Sequence, residues 1–111
     1  MNPLNLLSGQ DEIFLLVILR LKDNAYGTSI RREISKVTGK EWSIGAVYDP
    51  LYRMQKGGLI ESSLSRPIKA RGGRSRRMFR VCKEGQEALL AQKTVRDNLW
   101  LGLEPLSLNI G

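Results

Sequence analysis

The chain has no histidine, one cysteine and few aromatic residues, 6% of its 111 positions. Without histidine there is no Ser-His-Asp triad, no Cys-His pair and no His-ligated metal. With Cys82 alone, intrachain disulfides and paired-thiol zinc patterns are excluded too. No spacing of the remaining nucleophiles and carboxylates converges on a site. The sequence therefore predicts no catalytic residues, no metal and no cofactor. Long hydrophobic runs are also missing: the most apolar, Ile13 to Leu19, is seven residues long, against the ~20 that cross a membrane. It follows Asp11 and Glu12 rather than bases, and no small-residue cleavage site comes after it, so it does not read as a signal peptide. The expectation is a cytoplasmic chain with no membrane partner and, at 41% apolar residues, one core.

Acid is absent where base is richest. Residues 66 to 80 hold Arg66, Lys69, Arg71, Arg74, Arg76, Arg77 and Arg80 and no Asp or Glu. The other eleven of the 18 bases are balanced by eleven acids, so this one window carries the whole excess of +7. Concentrated positive charge suits a polyanion, because neutralising phosphates releases condensed counterions. A solvated loop whose charges aid solubility is the plainer alternative. Six of the seven bases are arginine, whose planar fork matches phosphate oxygens and guanine edges, whereas lysine is the usual solubility residue.

Periodicity places the remaining elements. Ser8 with Asp11 three residues on resembles a capping box, opening a helix that runs to about residues 22–24. Its apolar residues cover nearly every angle, predicting burial on most sides in the domain centre or at a subunit interface. Tyr26-Gly27 leads into a second helix ending at Gly39, with Tyr26, Ile30, Ile34 and Val37 as its apolar stripe and Thr28, Arg31, Arg32 and Lys36 off it. Ser43 caps a third helix to about Lys56, with Ile44, Val47, Tyr48, Leu51 and either Met54 or Gln55 inward and Ala46, Asp49, Arg53 and Lys56 outward. Apolar spacing carries through Pro50 in phase, which favours one kinked helix over two. Leu59 to Ser65 and Arg77 to Val81 read as strands around a basic loop tipped by Gly72-Gly73, and residues 86–100 as a last helix. Pro105 ends it, leaving residues 106–111 as a tail.

Helix, helix, helix, strand, basic loop, strand, helix is the order of a winged helix-turn-helix, mainly α with a small β-hairpin. In such a fold the third helix enters the major groove and the hairpin lies along the backbone. Several stretches resemble the PadR-type transcriptional regulators: Leu16 to Leu19 with Ala25-Tyr26-Gly27, Ile44 to Met54, Gly57-Gly58-Leu59-Ile60, and Gly72 to Val81 followed by Gly85. The likeness spans roughly residues 12 to 90, and Tyr48-Asp49-Pro50-Leu51 together with Gly72-Gly73-Arg74 is its most specific part. Cys82 departs from it, standing where the family usually has a capping threonine, and the C-terminal region is short.

The resemblance implies a homodimeric repressor on a pseudo-palindromic operator, with a DNA-binding domain over residues 1–82. Residues 83–111 would form a dimerisation helix and tail, joined in one unit with the first helix. Dimer candidates on those two helices are Phe14, Val17, Ile18, Leu89, Leu99 and Trp100. DNA-binding candidates are Ser43, Ala46, Tyr48, Asp49, Arg53 and Lys56 on the third helix and Lys69, Arg71, Arg74, Arg76 and Arg77 in the wing. Tyr48 is either a phosphate contact or a core tyrosine with a satisfied hydroxyl. Asp49 would repel phosphate, so its roles are to orient Arg53 or to accept from a cytosine amino group. Arg53 is a groove contact or a solvated charge, and Arg80 a candidate for an internal ion pair. Trp42 and Trp100 read as packing anchors, with Trp100 also a stacking platform for a small planar effector. Cys82 reads as a small buried hydrophobe rather than a redox sensor. The competing functions are an RNA-binding module, for which the basic window offers only Phe79 as a stacking ring, and a protein-interaction winged helix.

Overall fold

In the computed structural model, which describes residues 6–67 and 72–103, the Ser8 hydroxyl accepts from the Asp11 amide at 3.0 Å and opens α1, Gly9–Leu21. Phe14, Leu15, Val17 and Ile18 are buried, but Ile13, Leu16 and Leu19 stay exposed. Of the burial expected on most sides, the domain core supplies one flank of this helix, and among the described residues the other flank stays open. A 3₁₀ turn, Lys22–Asn24, leads to α2, Gly27–Thr38. Ser29 fixes that entry, its hydroxyl accepting from the Tyr26 amide at 3.0 Å. Gly39 closes the helix at φ +75°, a left-handed turn that glycine takes without strain. Ile30 and Ile34 carry the buried stripe, while Val37, expected to share it, lies exposed in the last turn where the helix has run past the core.

Ser43 caps α3, Ile44–Lys56, accepting from the Ala46 amide at 3.1 Å. The helix is continuous through Pro50, which is itself buried beside Val47, Leu51 and Met54. Ile44, expected inward, is exposed, because the first helical residue overhangs the core that begins at Val47. The hairpin pairs β1, Ile60–Leu64, with β2, Arg77–Val81, antiparallel, Ile60 opposite Val81 and Leu64 opposite Arg77. Ser65 extends the ladder by one step, donating to the Arg76 carbonyl at 2.7 Å. The other edge of β2 is covered too: the Phe79 amide donates to the Ala25 carbonyl at 2.8 Å, and Tyr26 bridges Met78. This stitch locks the wing to the start of α2. Gly72 and Gly73 both have positive φ, +66° and +78°, as their place at the loop tip requires.

The last helix, α4, spans Lys83–Trp100 and starts three residues before the expected residue 86. Gly85 reads as a breaker but lies inside the first turn, for reasons of space. A Cβ there would fall 2.4 Å from the Leu59 carbonyl oxygen and 2.7 Å from Val81 Cγ1. Only Gly85, Leu89 and Gln92 of α4 are buried. The core is one cluster drawn from all four α-helices and both strands, with Phe14, Leu15, Ile30, Ile34, Leu51 and Met54 among its largest fully buried side chains. Among the described residues no helix is long and apolar enough to cross a membrane, and no cluster of metal-ligating side chains occurs.

Candidate nucleic-acid interface

Three elements converge beside the hairpin: the start of α2, the exposed face of α3 and the base of the wing. Tyr26, Thr28, Arg32, Tyr48, Arg76 and Arg77 line a shallow groove of 420 Å³ where they meet. The Arg76 guanidinium lies over the Tyr26 ring, 3.9 Å from its centroid. Arg77 donates to the Ser62 hydroxyl at 3.0 Å. Both partners are neutral, so the two cations are aimed without being cancelled. On the α3 side Ser43, Ala46, Asp49 and Lys56 are exposed. A Cβ on Gly45 would meet nothing within 4 Å. The first turns of α3 are therefore bare, as a helix must be where its backbone approaches the floor of a groove.

Tyr48 unites the two readings that the sequence left open. Its ring packs against Tyr52, with centroids 5.5 Å apart, and Phe79, at 6.1 Å. Its hydroxyl reaches the mouth of the groove over Gly27, where a Cβ would fall 2.1 Å from the phenol oxygen. Burial, with some help from Tyr52, pushes the phenol above its ordinary range, and Arg77 opposes the shift. Tyr48 thus stays a protonated donor at neutral pH, facing a cationic groove.

A family profile described as "Transcriptional regulator PadR-like family" matches residues 15–91. The chain belongs to this PadR-like family. Solved structures agree on the fold. A PadR family transcription regulator from Clostridium difficile is 27% identical, with a TM-score of 0.63 over 82% of this chain and 91% of that one. A PadR-like regulator from Bacillus cereus is 26% identical, with a TM-score of 0.63 over 84% and 92%. RosR of H. salinarum, at 22% identity, gives a TM-score of 0.69 over 86% and 79%. No curated protein matches the chain in sequence. As a PadR-like winged helix it is a DNA-binding transcriptional regulator and not an enzyme.

Within that PadR-like frame the other expected residues fall into place unevenly. Lys69 and Arg71 lie outside the described residues, as do Pro105 and the tail. Arg74 is exposed beside the loop tip. Arg80 makes its internal pair, with Glu61 directly across the hairpin. Arg53 is not oriented by Asp49. Its guanidinium meets Asp11 of α1 with both terminal nitrogens, at 2.7 and 3.0 Å. The two residues are 42 apart in sequence, so no local spacing announces the pair. Thr28 and Arg32 join the groove without being among the expected DNA contacts; the signal for them in the sequence is their position off the α2 stripe, which carries no direction in space.

The dimer candidates divide in the same way. Phe14, Val17 and Ile18 are consumed by the protomer core, each at most 3% exposed, which corrects their expected place on an interface, while Leu89, 8% exposed, joins the core and also faces the cleft between α1 and α4. Leu99 and Trp100 are 69% and 53% exposed. With Leu16, Leu19 and Leu90, Trp100 lines an apolar groove of 510 Å³ between α1 and α4, floored by Leu89 and edged by the Glu12–Arg96 ion pair. The exposed flank of α1, which periodicity could not tell from the buried one, is the missing half of this surface. Trp42, by contrast, is anchored as expected: it packs edge-on to Phe14, centroids 5.6 Å apart, and donates to Thr38 at 2.9 Å. Cys82 is half-buried. Burial first, then the charges of Glu61 and Glu84, push its thiol up, and Arg80 pulls the other way.

Proposed function

We propose that this PadR-like chain binds a specific duplex operator as a homodimer and represses transcription from it in the cytoplasm. The first turns of α3 read base edges in the major groove through Ala46 and Asp49, with Ser43 and Lys56 at the ends of the contact. The wing, residues 66–77, lies on the backbone or in the minor groove, its contacts being Lys69, Arg71, Arg74, Arg76 and Arg77. Tyr48 donates its phenol to a phosphate. One observation carries the reading: Arg76 and Arg77 are held by a ring and a hydroxyl in the groove that Tyr48 of α3 lines with them. Arginines so placed keep their full charge for phosphate. The dimer forms through the α1/α4 groove, and a small planar effector would stack on Trp100 there.

Selection of bound duplexes from a random pool tests this. The expected result is a palindrome whose half-sites lie about one helical turn, ~34 Å, apart. Its affinity should fall about 10³-fold or more between 50 and 200 mM salt. Equal affinity for a matched single-stranded RNA overturns the duplex reading, and recovery of unpaired half-sites overturns the dimer.

A further inference from the structure

Three helices are tied together by polar groups at the first turn of α1. Just before the helix the Leu7 amide donates to Oε1 of Gln92 on α4 at 2.7 Å, and Gln92 is buried. Asp11, 7% exposed, accepts both nitrogens of Arg53 from α3. Its neighbour Glu12 accepts from Arg96 of α4 at 2.9 Å. A nearly buried carboxylate is costly unless paired, and Arg53 is its cationic partner among the described residues. A forked, two-point bond also fixes direction in a way a single contact does not.

We infer that Asp11 and Arg53 are positioning residues for operator recognition: they set the angle at which α3 projects from α1, and Arg53 makes no contact with DNA. The inference rests on the DNA-binding reading above. Its physical ground is the contrast between Arg53 and the wing cations. The charge of Arg53 is offset by Asp11, and its guanidinium is directed at α1 rather than into the groove of Tyr48, Arg76 and Arg77. α1 and α4 also carry the apolar groove proposed as the subunit interface. A strut from that pair to α3 therefore fixes where two recognition helices stand relative to each other. A small rotation there misplaces half-sites that are about 34 Å apart.

The test measures operator and random-duplex affinity across a salt series. The proteins are wild type, Asp11→Asn, Arg53→Gln, Arg53→Lys and the double variant Asp11→Asn with Arg53→Gln, with thermal melts confirming that each is folded. Each neutralising single variant is expected to weaken operator binding about tenfold, with random-duplex binding and the salt slope unchanged. The double variant is expected to be no weaker than either single one, because one strut is lost only once. Arg53→Lys keeps the charge but loses the fork and should fall in between. The positioning role is overturned if Arg53→Gln lowers the salt slope by about one and weakens both duplexes alike, or if Asp11→Asn tightens binding. Either result makes Arg53 a phosphate contact that Asp11 restrains. Should Asp11→Asn fail to fold, the two Arg53 variants decide by the same slope. Failure of the DNA-binding reading looks different: wing arginine-to-alanine variants would then bind duplex as wild type does.

Discussion

At the base of the wing, Arg76 lies over a tyrosine ring and Arg77 donates to a serine hydroxyl. On the helical body, Arg53 and Arg96 are held by the carboxylates of Asp11 and Glu12. Both regions hold arginine in place, but only the second neutralises it. The boundary runs through β2 itself, since Arg80, three residues beyond Arg77, is paired with Glu61. A net charge of +7 therefore understates the difference between the two regions. What makes a cation available to phosphate is the chemistry of the group that orients it.

The strongest way to break this comparison is to remove the wing cations together. Arg74→Ala, Arg76→Ala and Arg77→Ala in one chain should weaken duplex binding by about 10²-fold or more at 0.1 M salt and lower the salt slope by about two to three. Arg96→Ala, on the helical body, should leave the slope where it was. If filter-binding titrations show equal slope changes for the two variants, the distinction between neutral and charged partners has no functional content.

The helical body carries the next largest effect, through its apolar surface. Leu99→Asp, and independently Leu16→Asp, should raise the dimer dissociation constant at least about thirtyfold, the scale of a lost interface anchor, without unfolding the protomer. Phe14→Asp should unfold it, because that side chain is wholly buried. Sedimentation at micromolar concentration checks the first pair and circular dichroism the third. A dimer unmoved by both exposed-leucine variants places the subunit contact elsewhere.

Much of this was legible because it is local. Ser8, Ser43 and Gly39 announce helix ends by capping chemistry that acts within four residues, and Gly72-Gly73 marks the tip of the wing. Phe79 and Val81 alternate with Met78 and Arg80 as a half-buried strand must. The losses share a different cause. Gly85 looks like a helix breaker until the Leu59 carbonyl is seen pressing on it from another element. The α1 residues Phe14, Val17 and Ile18 are as apolar as Ile13, Leu16 and Leu19, and only the packed fold decides which three meet water. The Arg53–Asp11 pair joins two helices that no periodicity relates. Arg53 and Arg76 are the same residue type on the same charge map, yet their partners lie far off in sequence, so the contrast between regions could not be read from the string.

A smaller effect sharpens the comparison at its centre. Tyr48→Phe removes the phenol and keeps the ring against Tyr52 and Phe79. Duplex affinity should fall about threefold to tenfold, the worth of one hydrogen bond to a charged acceptor, with the melting temperature nearly unchanged. The sign with pH follows from burial. The folded phenol is raised above its ordinary value, so its contribution is complete below about pH 10 and is lost as pH climbs through the raised value. Operator binding should therefore show no step from Tyr48 between about pH 6 and 9.

The smallest effect sits on the boundary between the regions, at Cys82. Glu61, which neutralises Arg80 across the hairpin, also helps burial to push the Cys82 thiol up. A thiol raised in the folded state favours folding below the ordinary cysteine value near about 8.5, and that contribution is lost as pH rises through the raised value. At pH 7 Cys82 should be alkylated by iodoacetamide more slowly than a free thiol, since the thiolate is the reacting form. Glu61→Gln removes a charge that disfavours the thiolate and leaves Arg80 unpaired beside it. Alkylation should then speed up, by less than about tenfold, the factor for one full unit of pKa. Unchanged or slower alkylation would mean that burial alone governs this thiol, and that the charge of Glu61 is absorbed by Arg80 before it reaches Cys82.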